Sequence, residues 1–358
     1  MMGGIIAVVL LLAIQAVRWV REAPNKCLGA DVPYSIPNLG PYRISFLVPV
    51  WNDEQHVTPF VQSFQALTGS GKNLELVLCA GGTDGTGPAA RSHIARNVAV
   101  ISQEPGDGKQ GALAKALVRA TGDVVFLTDI DCRPRDESVY PVISHVLENP
   151  HEIATGGVSP LSSQKKSNFV IAQWAVRERS NPSDGDEIFG VDGRNTAMMR
   201  EVLARTRAFN VPAPSGTDYT LGKELTQHGY PIRFVGSSRM ETVFPEDMTT
   251  YVAKQARWLR NVIMIGIRYR SYGEAAAAGQ TLLFPFATLA LFLGGVWFAP
   301  LLWAAFLLVL FSLTNRVLYL RGIGRPAAAA GTVVLLLADW AASTLTVRHL
   351  YRRHTGWS

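Results

Sequence analysis

The sequence predicts an α/β domain with a mainly parallel sheet, framed by apolar helices at both ends of the chain. Three observations carry that prediction. Four short apolar runs rich in β-branched residues alternate with helical patterns between residues 44 and 127, and such alternation implies βαβ units with right-handed crossovers. The fourth run ends in two carboxylates, Asp129 and Asp131, with one residue between them. In open α/β sheets, ligands bind beyond the carboxyl ends of the strands. Finally, apolar residues gather at the two ends of the chain with arginines beside them.

With 358 residues, the chain has room for two domains, or for one domain with membrane segments. Its hydrophobic fraction is 48%, and its mean hydropathy of +0.14 is positive. A net charge of +6 and a pI near 9.3 would suit nucleic acid. However, Arg18, Arg21, Arg268, Arg270, Arg316, Arg321, Arg325, Arg348, Arg352 and Arg353 all flank apolar runs. Basic residues beside membrane spans favour the cytoplasmic side and anionic headgroups. The excess charge is therefore assigned to a lipid bilayer, and no nucleic-acid partner is expected. The three cysteines, Cys27, Cys79 and Cys132, fit reduced thiols and not a disulfide framework.

In chain order, residues 1–17 are apolar apart from Gln15 and are followed by Arg18-Trp19-Val20-Arg21. The charge comes after the apolar core, the reverse of a cleaved signal. Residues 1–21 are therefore expected to be a retained transmembrane anchor, with the adjoining domain on the cytoplasmic side. Residues 22–42 hold Pro24, Pro33, Pro37 and Pro41 and read as a connector.

A cytosolic domain is predicted over 43–247. Its strands fall at 44–50, 74–79, 98–101 and 124–127, with helices at 57–67 and 111–119 between them. Further on, the pattern supports a helix at 139–147, a strand at 153–158 and a helix at 169–179. The segment 188–191 leads into a turn at Gly193-Arg194-Asn195, then a helix at 217–228 and a strand at 232–235.

Across 248–275, Tyr251, Trp258, Val262, Ile265 and Tyr269 recur at helical spacing among Lys254, Arg257, Arg260, Arg268 and Arg270. A basic amphipathic helix of this kind lies along a membrane surface, the alternative being a helix packed on the domain. Three apolar runs come next within 281–347, at 281–298, 301–320 and 327–347, and read as spanning helices. Three spans starting inside would leave Arg348, Arg352 and Arg353 outside, against the positive-inside tendency, so either the last segment re-enters or two of the runs form something other than a simple hairpin. Asp339, within the last run, is an acid without evident purpose.

Two acids at a strand end offer hard oxygen ligands to Mg²⁺ or Mn²⁺, which are typically held by carboxylates together with substrate phosphates. Read together, the central motifs resemble the family 2 glycosyltransferases with a GT-A fold, in the membrane-integrated branch with cellulose, chitin and hyaluronan synthases and ceramide glucosyltransferase. The resemblance covers roughly residues 44–260. Phe46 to Glu54 (FLVPVWNDE) resembles the opening strand and loop that cradle the nucleotide, which would make Pro49, Trp51 and Glu54 donor-binding. Thr83-Asp84-Gly85-Thr86 matches the second half of the nucleotide-binding turn, with Asp84 on the donor. The acid pair that normally precedes that turn is replaced by Cys79-Ala80-Gly81-Gly82, so Asp84 or backbone groups would have to read the base.

Gly106 to Leu113 resembles the Gly-Lys segment whose lysine, here Lys109, approaches the donor diphosphate. By the same resemblance, Asp129 and Asp131 are the D-x-D pair that contacts metal and diphosphate. The turn with Asn195 shapes the donor-sugar pocket, and Thr217-Asp218 ends in the catalytic base, Asp218. Lys254-Gln255-Ala256-Arg257-Trp258 resembles a Q-x-x-R-W motif with Lys in its first position. Arg257 would bind donor phosphate, bidentately where geometry allows, and Trp258 and Gln255 would face the acceptor.

The resemblance implies a membrane-bound inverting transferase that moves a sugar from a nucleotide-sugar donor, a UDP-sugar favoured, to a lipid-linked or membrane-proximal glycan acceptor. It implies a multi-pass protein of the cell membrane with its catalytic domain in the cytoplasm. Two alternatives stand beside this reading: a processive polysaccharide synthase, and a catalytically silent scaffold for glycan assembly.

Overall fold

The computed structural model describes residues 34–213 and 215–351. The expected anchor at 1–21, Cys27, Arg352 and Arg353 lie outside the described residues. The chain divides into two compact units. One is drawn from Asp31–Ser162 and Pro182–Val243, the other from Ser163–Asn181 and Phe244–Ser358.

The first unit opens with strand β1 (Ile44–Trp51), helix α1 (Glu54–Gln65), β2 (Leu74–Gly81), α2 (Thr86–Arg91), β3 (Val98–Ser102), α3 (Gly108–Arg119) and β4 (Val124–Leu127). β5 (Cys132–Arg133), α4 (Asp136–Glu148) and β6 (Ile153–Pro160) come next. The chain then leaves for α5 (Asn168–Arg179) of the second unit. It returns for β7 (Glu187–Ile188), β8 (Thr196–Met199), α6 (Arg200–Thr206), α7 (Thr217–Gln227) and β9 (Ile232–Thr242).

All these strands join one sheet of order β3-β2-β1-β4-β8-β6-β9-β5, with β7 on β9. β1 is central, and its first five residues and Val50 are buried, as the unbroken apolar run requires of a strand covered on both faces. α1 lays Val57, Phe60, Val61 and Phe64 into the core. The Phe46 ring meets Phe64 at 5.2 Å and Phe126 at 4.7 Å between centroids.

The long pairings β1·β2, β2·β3, β1·β4 and β6·β9 are parallel, as expected. β8 is an addition. It runs antiparallel to both β4 and β6, in residues for which the sequence pattern predicts no element. β9 also runs on to Thr242, well past the expected 232–235.

The chain builds outward from β1 to β2 and β3, then crosses back to place β4 on the other side of β1. This reversal is a topological switch point, and it opens a crevice at the carboxyl ends of β1 and β4.

In the second unit, α8 (Met248–Arg268) begins at Asp247, whose carboxylate accepts the Thr250 N–H at 2.8 Å. It buries Ala256, Leu259, Val262 and Ile265 along one stripe, the spacing of an amphipathic helix. α9 (Tyr272–Gly294), α10 (Ala299–Gly322) and α11 (Ala329–Tyr351) complete the unit. Three helices among the described residues, Tyr272–Gly294, Ala299–Gly322 and Pro326–Tyr351, are long and apolar enough to cross a membrane, with mean hydropathies of 1.6, 1.9 and 1.5. Asp339 is not solitary. Its carboxylate accepts hydrogen bonds from Tyr251 Oη at 2.6 Å and Arg316 Nη2 at 2.9 Å.

Candidate active site

The crevice collects side chains from three separate parts of the first unit. Lys109 is the second residue of α3, which starts behind Gly106 and Gly108, both at positive φ. The turn therefore brings the helix N-terminus close to the sheet edge, an arrangement suited to anions. Asp129 lies just beyond the end of β4. Asp218 lies in the first turn of α7. Lys109 Nζ donates to Asp129 Oδ1 and to Asp218 Oδ1, each at 2.9 Å. Three residues distant in sequence thus meet at one ammonium group.

The electrostatics arise from that geometry. Burial pulls the Lys109 ammonium down, but the two carboxylates outweigh it and raise its pKa, so it stays charged. Burial pushes the Asp129 carboxyl up to about 6, with Asp218 and Asp131 adding repulsion and Lys109 opposing them. Asp131 stands two residues further along the turn, where Thr242 Oγ1 donates to its Oδ1 at 3.3 Å.

Asp218 is admitted by a glycine. A Cβ on Gly193 would collide with the Asp218 carboxylate, so the turn between β7 and β8 must be bare there. That turn is clamped by Arg194, whose Nε and Nη2 donate to the two oxygens of Asp192 at 2.9 and 3.2 Å. Asn195 is completely buried, and its Nδ2 donates to Gly157 O at 3.1 Å and Ser238 Oγ at 2.8 Å. Its amide N–H₂ is spent inside the sheet, so the residue holds the turn from beneath.

At the other end of the crevice, Trp51 closes β1 and is 38% exposed, and Pro49 is part-buried in the same strand. Asp84 accepts the N–H of Thr86 at 3.0 Å and of Glu54 at 3.4 Å. The Thr86 bonds hold its carboxyl below the ordinary value. The exposed residues Glu54 and Asp84 line a cleft of about 500 Å³ together with Asn52, Asp53, Gln55, Thr58 and Ala89. Cys79, where the family pattern carries an acid, is buried, and burial pushes its thiol up to about 11. It is a neutral core residue.

Gln255, Arg257 and Trp258 belong to α8 in the second unit. Arg257 and Trp258 lie on its exposed side, Trp258 at 53% exposure, and Gln255 is part-buried. The roles of Gly193, Thr242 and the Asp192–Arg194 clamp were not legible in the sequence. Each depends on a contact made by a residue remote in the chain or on the fold of one turn.

The mixed α/β sheet with this switch-point crevice is of GT-A type. Residues 45–207 match the profile described as Glycosyl transferase family 2. The matched segment covers a little under half of the chain, and the three helices after it are long and apolar enough to cross a membrane. In fold it is similar to a mannosyltransferase from Pyrobaculum calidifontis solved with GDP-Man and Mn²⁺. The TM-score is 0.59 at 20% identity, over 92% of this chain and 94% of that one. Glucosyl-3-phosphoglycerate synthase from Mycobacterium tuberculosis, solved with Mn²⁺ and UDP-Glc, gives 0.43 at 18% identity, over 64% and 83%. No curated protein matches the chain.

Proposed function

We propose that the protein is an inverting glycosyltransferase that moves a sugar from a nucleoside-diphosphate sugar, a UDP-sugar favoured, to a lipid-linked or membrane-proximal acceptor at the cytoplasmic face. The observation that carries this reading is the Lys109 ammonium shared by Asp129 and Asp218. One cation and two acids of different surroundings supply a phosphate ligand, a metal ligand and a base within one crevice.

Among the described residues there is no cluster of three or more metal-ligating His, Cys, Asp or Glu side chains. The donor set at the β4 end is therefore two carboxylates, all oxygen. That suits Mg²⁺ or Mn²⁺, whose remaining positions are taken by water and donor phosphates, and does not suit a structural zinc. Asp129 and Asp131 would hold the ion, which when bound screens the charge growing on the leaving diphosphate as a Lewis acid.

Lys109 turns from the carboxylates to the diphosphate and stabilises the same developing charge. Its departure from Asp218 frees Oδ1 to accept the proton of the attacking hydroxyl, worth about 10²–10⁴ in rate. A single displacement of this kind inverts the anomeric centre. On the family resemblance alone, Arg257 is a candidate for donor phosphate and Trp258, through its indole face, for the acceptor. The apolar helices and the basic-aromatic α8 favour a membrane-borne acceptor.

The test is a panel of nucleotide sugars with purified protein, scored for diphosphate release with and without membrane lipid extract. Release from one donor, stimulated by extract and abolished by excess chelator, is expected. No release from any donor would turn the reading toward a silent scaffold, and full release in chelator would remove the ion.

A further inference from the structure

We infer that α11, although long and apolar enough to cross a membrane, lies flat in the surface layer of the bilayer instead. On this inference α9 and α10 form the only crossing among the described helices, a hairpin, and the chain end returns to the side on which α5 and α8 begin.

The chain leaves the sheet at two adjacent places. Pro160 and Thr242, the last residues of β6 and β9, are register partners, so the paths into α5 and α8 depart from neighbouring points. They are stitched together immediately afterwards. Gln164 Nε2 donates to Phe244 O at 2.9 Å, Phe244 N donates to Gln164 Oε1 at 3.0 Å, and Gln173 Nε2 donates to Pro245 O at 2.8 Å. The first turns of the two helices then touch, with the Phe169 and Tyr251 rings 5.7 Å apart. Both helices therefore start at one level on one side of the membrane.

α11 packs against both of them along its length. At its start, Gly331 lies so close to Asn168 O, at the beginning of α5, that a Cβ would not fit. At its middle, Asp339 accepts the Tyr251 hydroxyl. Towards its end, Thr346 Oγ1 donates to Ala256 O at 3.3 Å. From 331 to 346 is about 22 Å of helix, most of a bilayer core. Were α11 to cross, α8 beside its second half would carry Lys254, Arg257 and Arg260 into hydrocarbon, where cationic heads are strongly disfavoured.

The other two helices behave differently. α9 buries only Ala278, Leu282, Pro285 and Thr288. α10 buries only Ala305 before its last turns, where Asn315, Tyr319 and Leu320 are covered, and Tyr319 and Leu320 join Ile171 and Ala175 of α5 in one cluster. Thus α10 comes back to the layer from which α5 starts, and α11 stays in it.

α11 keeps one uncovered apolar stripe, with Val333, Val334, Leu337 and Val347 all at least 44% exposed. Arg325 and Arg348 stand at its two ends. An apolar stripe between cations matches the boundary between acyl chains and anionic headgroups, so the partner of this face is the lipid surface. The arrangement also removes the conflict with the positive-inside tendency, because Arg348 then lies on the same side as Arg321 and Arg325.

The test uses the full chain with Cys27 replaced by serine, since Cys79 and Cys132 are buried. Single cysteines at Val333, Leu337 and Val347 carry a fluorophore, quenched by lipids brominated at known depths in vesicles containing anionic lipid. Equal shallow depths at all three are expected. Depths that stagger, with Val333 and Val347 about 21 Å apart along the helix, would overturn the inference.

A second measurement labels Gly71→Cys, Trp297→Cys and Tyr351→Cys in intact cells with an impermeant reagent. Protection of Gly71→Cys and Tyr351→Cys with labelling of Trp297→Cys is expected. Labelling of Tyr351→Cys with Gly71→Cys protected would also overturn it. If both label together and Trp297→Cys does not, the inference stands, and it is the cytoplasmic orientation given under Proposed function that fails.

Discussion

Gly193 has no room for a side chain because the Asp218 carboxylate occupies the space a Cβ would take. Gly193→Ala should therefore push Asp218 away from Lys109 without disturbing the sheet. A displacement near 1 Å costs roughly 10²-fold in rate, so kcat should fall by about that factor while donor affinity and melting temperature stay close to wild type. Kinetics and calorimetry on the purified variant check this. A second expectation concerns Asp129, whose carboxyl is pushed up to about 6 by burial. An ordinary Asp near 3.9 is more than nine-tenths ionised at pH 5 and above, but here a proton competes with the divalent ion between pH 5 and 6. Ion affinity of the donor-free protein should be flat above pH 6 and weaken about tenfold per unit below it. Titration calorimetry against pH reads this, and Asp129→Asn should remove the slope along with most of the affinity. These contacts were invisible in the sequence. A D-x-D at a strand end shows where acids stand, but not that a lysine 20 positions earlier and an aspartate 89 positions later converge on one another there (109 to 129, and 129 to 218).

Among the elements, strands β1 to β4 were legible because each is a compact apolar run between turn residues, the signature of buried parallel strands. β5 and β7 are two residues long, too short for any periodicity, and β8 has four that continue directly from a turn. Their places are set by what they pair with. The same holds for Asp339, whose partners Tyr251 and Arg316 sit on other helices. Removing one member of a buried ion pair costs about 3–5 kcal/mol, whereas replacing both by apolar groups is often neutral. Here the side chains keep 18% and 21% exposure, so the loss should be smaller, about 2 kcal/mol. Arg316→Met alone should lower the melting temperature in detergent, and Arg316→Met with Asp339→Leu should recover most of it. Equal loss in single and double variants would mean that the pair does not stabilise the helices.

Among the described residues, the three apolar runs read from hydropathy form helices long enough to cross a membrane, and the domain before them has the fold that its motifs imply. What composition could not set is the path of the last helix, because length and hydropathy are alike for a helix that crosses and one that lies flat. Only the neighbours of α11 distinguish them. Transfer from a nucleotide sugar to a membrane acceptor, with Asp218 as base, is tested by placing wild type and Asp218→Asn side by side in vesicles that contain membrane lipid extract. Transfer of radiolabelled sugar into the lipid phase and donor affinity are measured on both. Wild type should move label into lipid, and the variant should do so about 10²–10⁴ times more slowly with donor affinity nearly unchanged. Wild-type transfer by Asp218→Asn, or label accumulating only in long water-soluble chains, would overturn this mechanism.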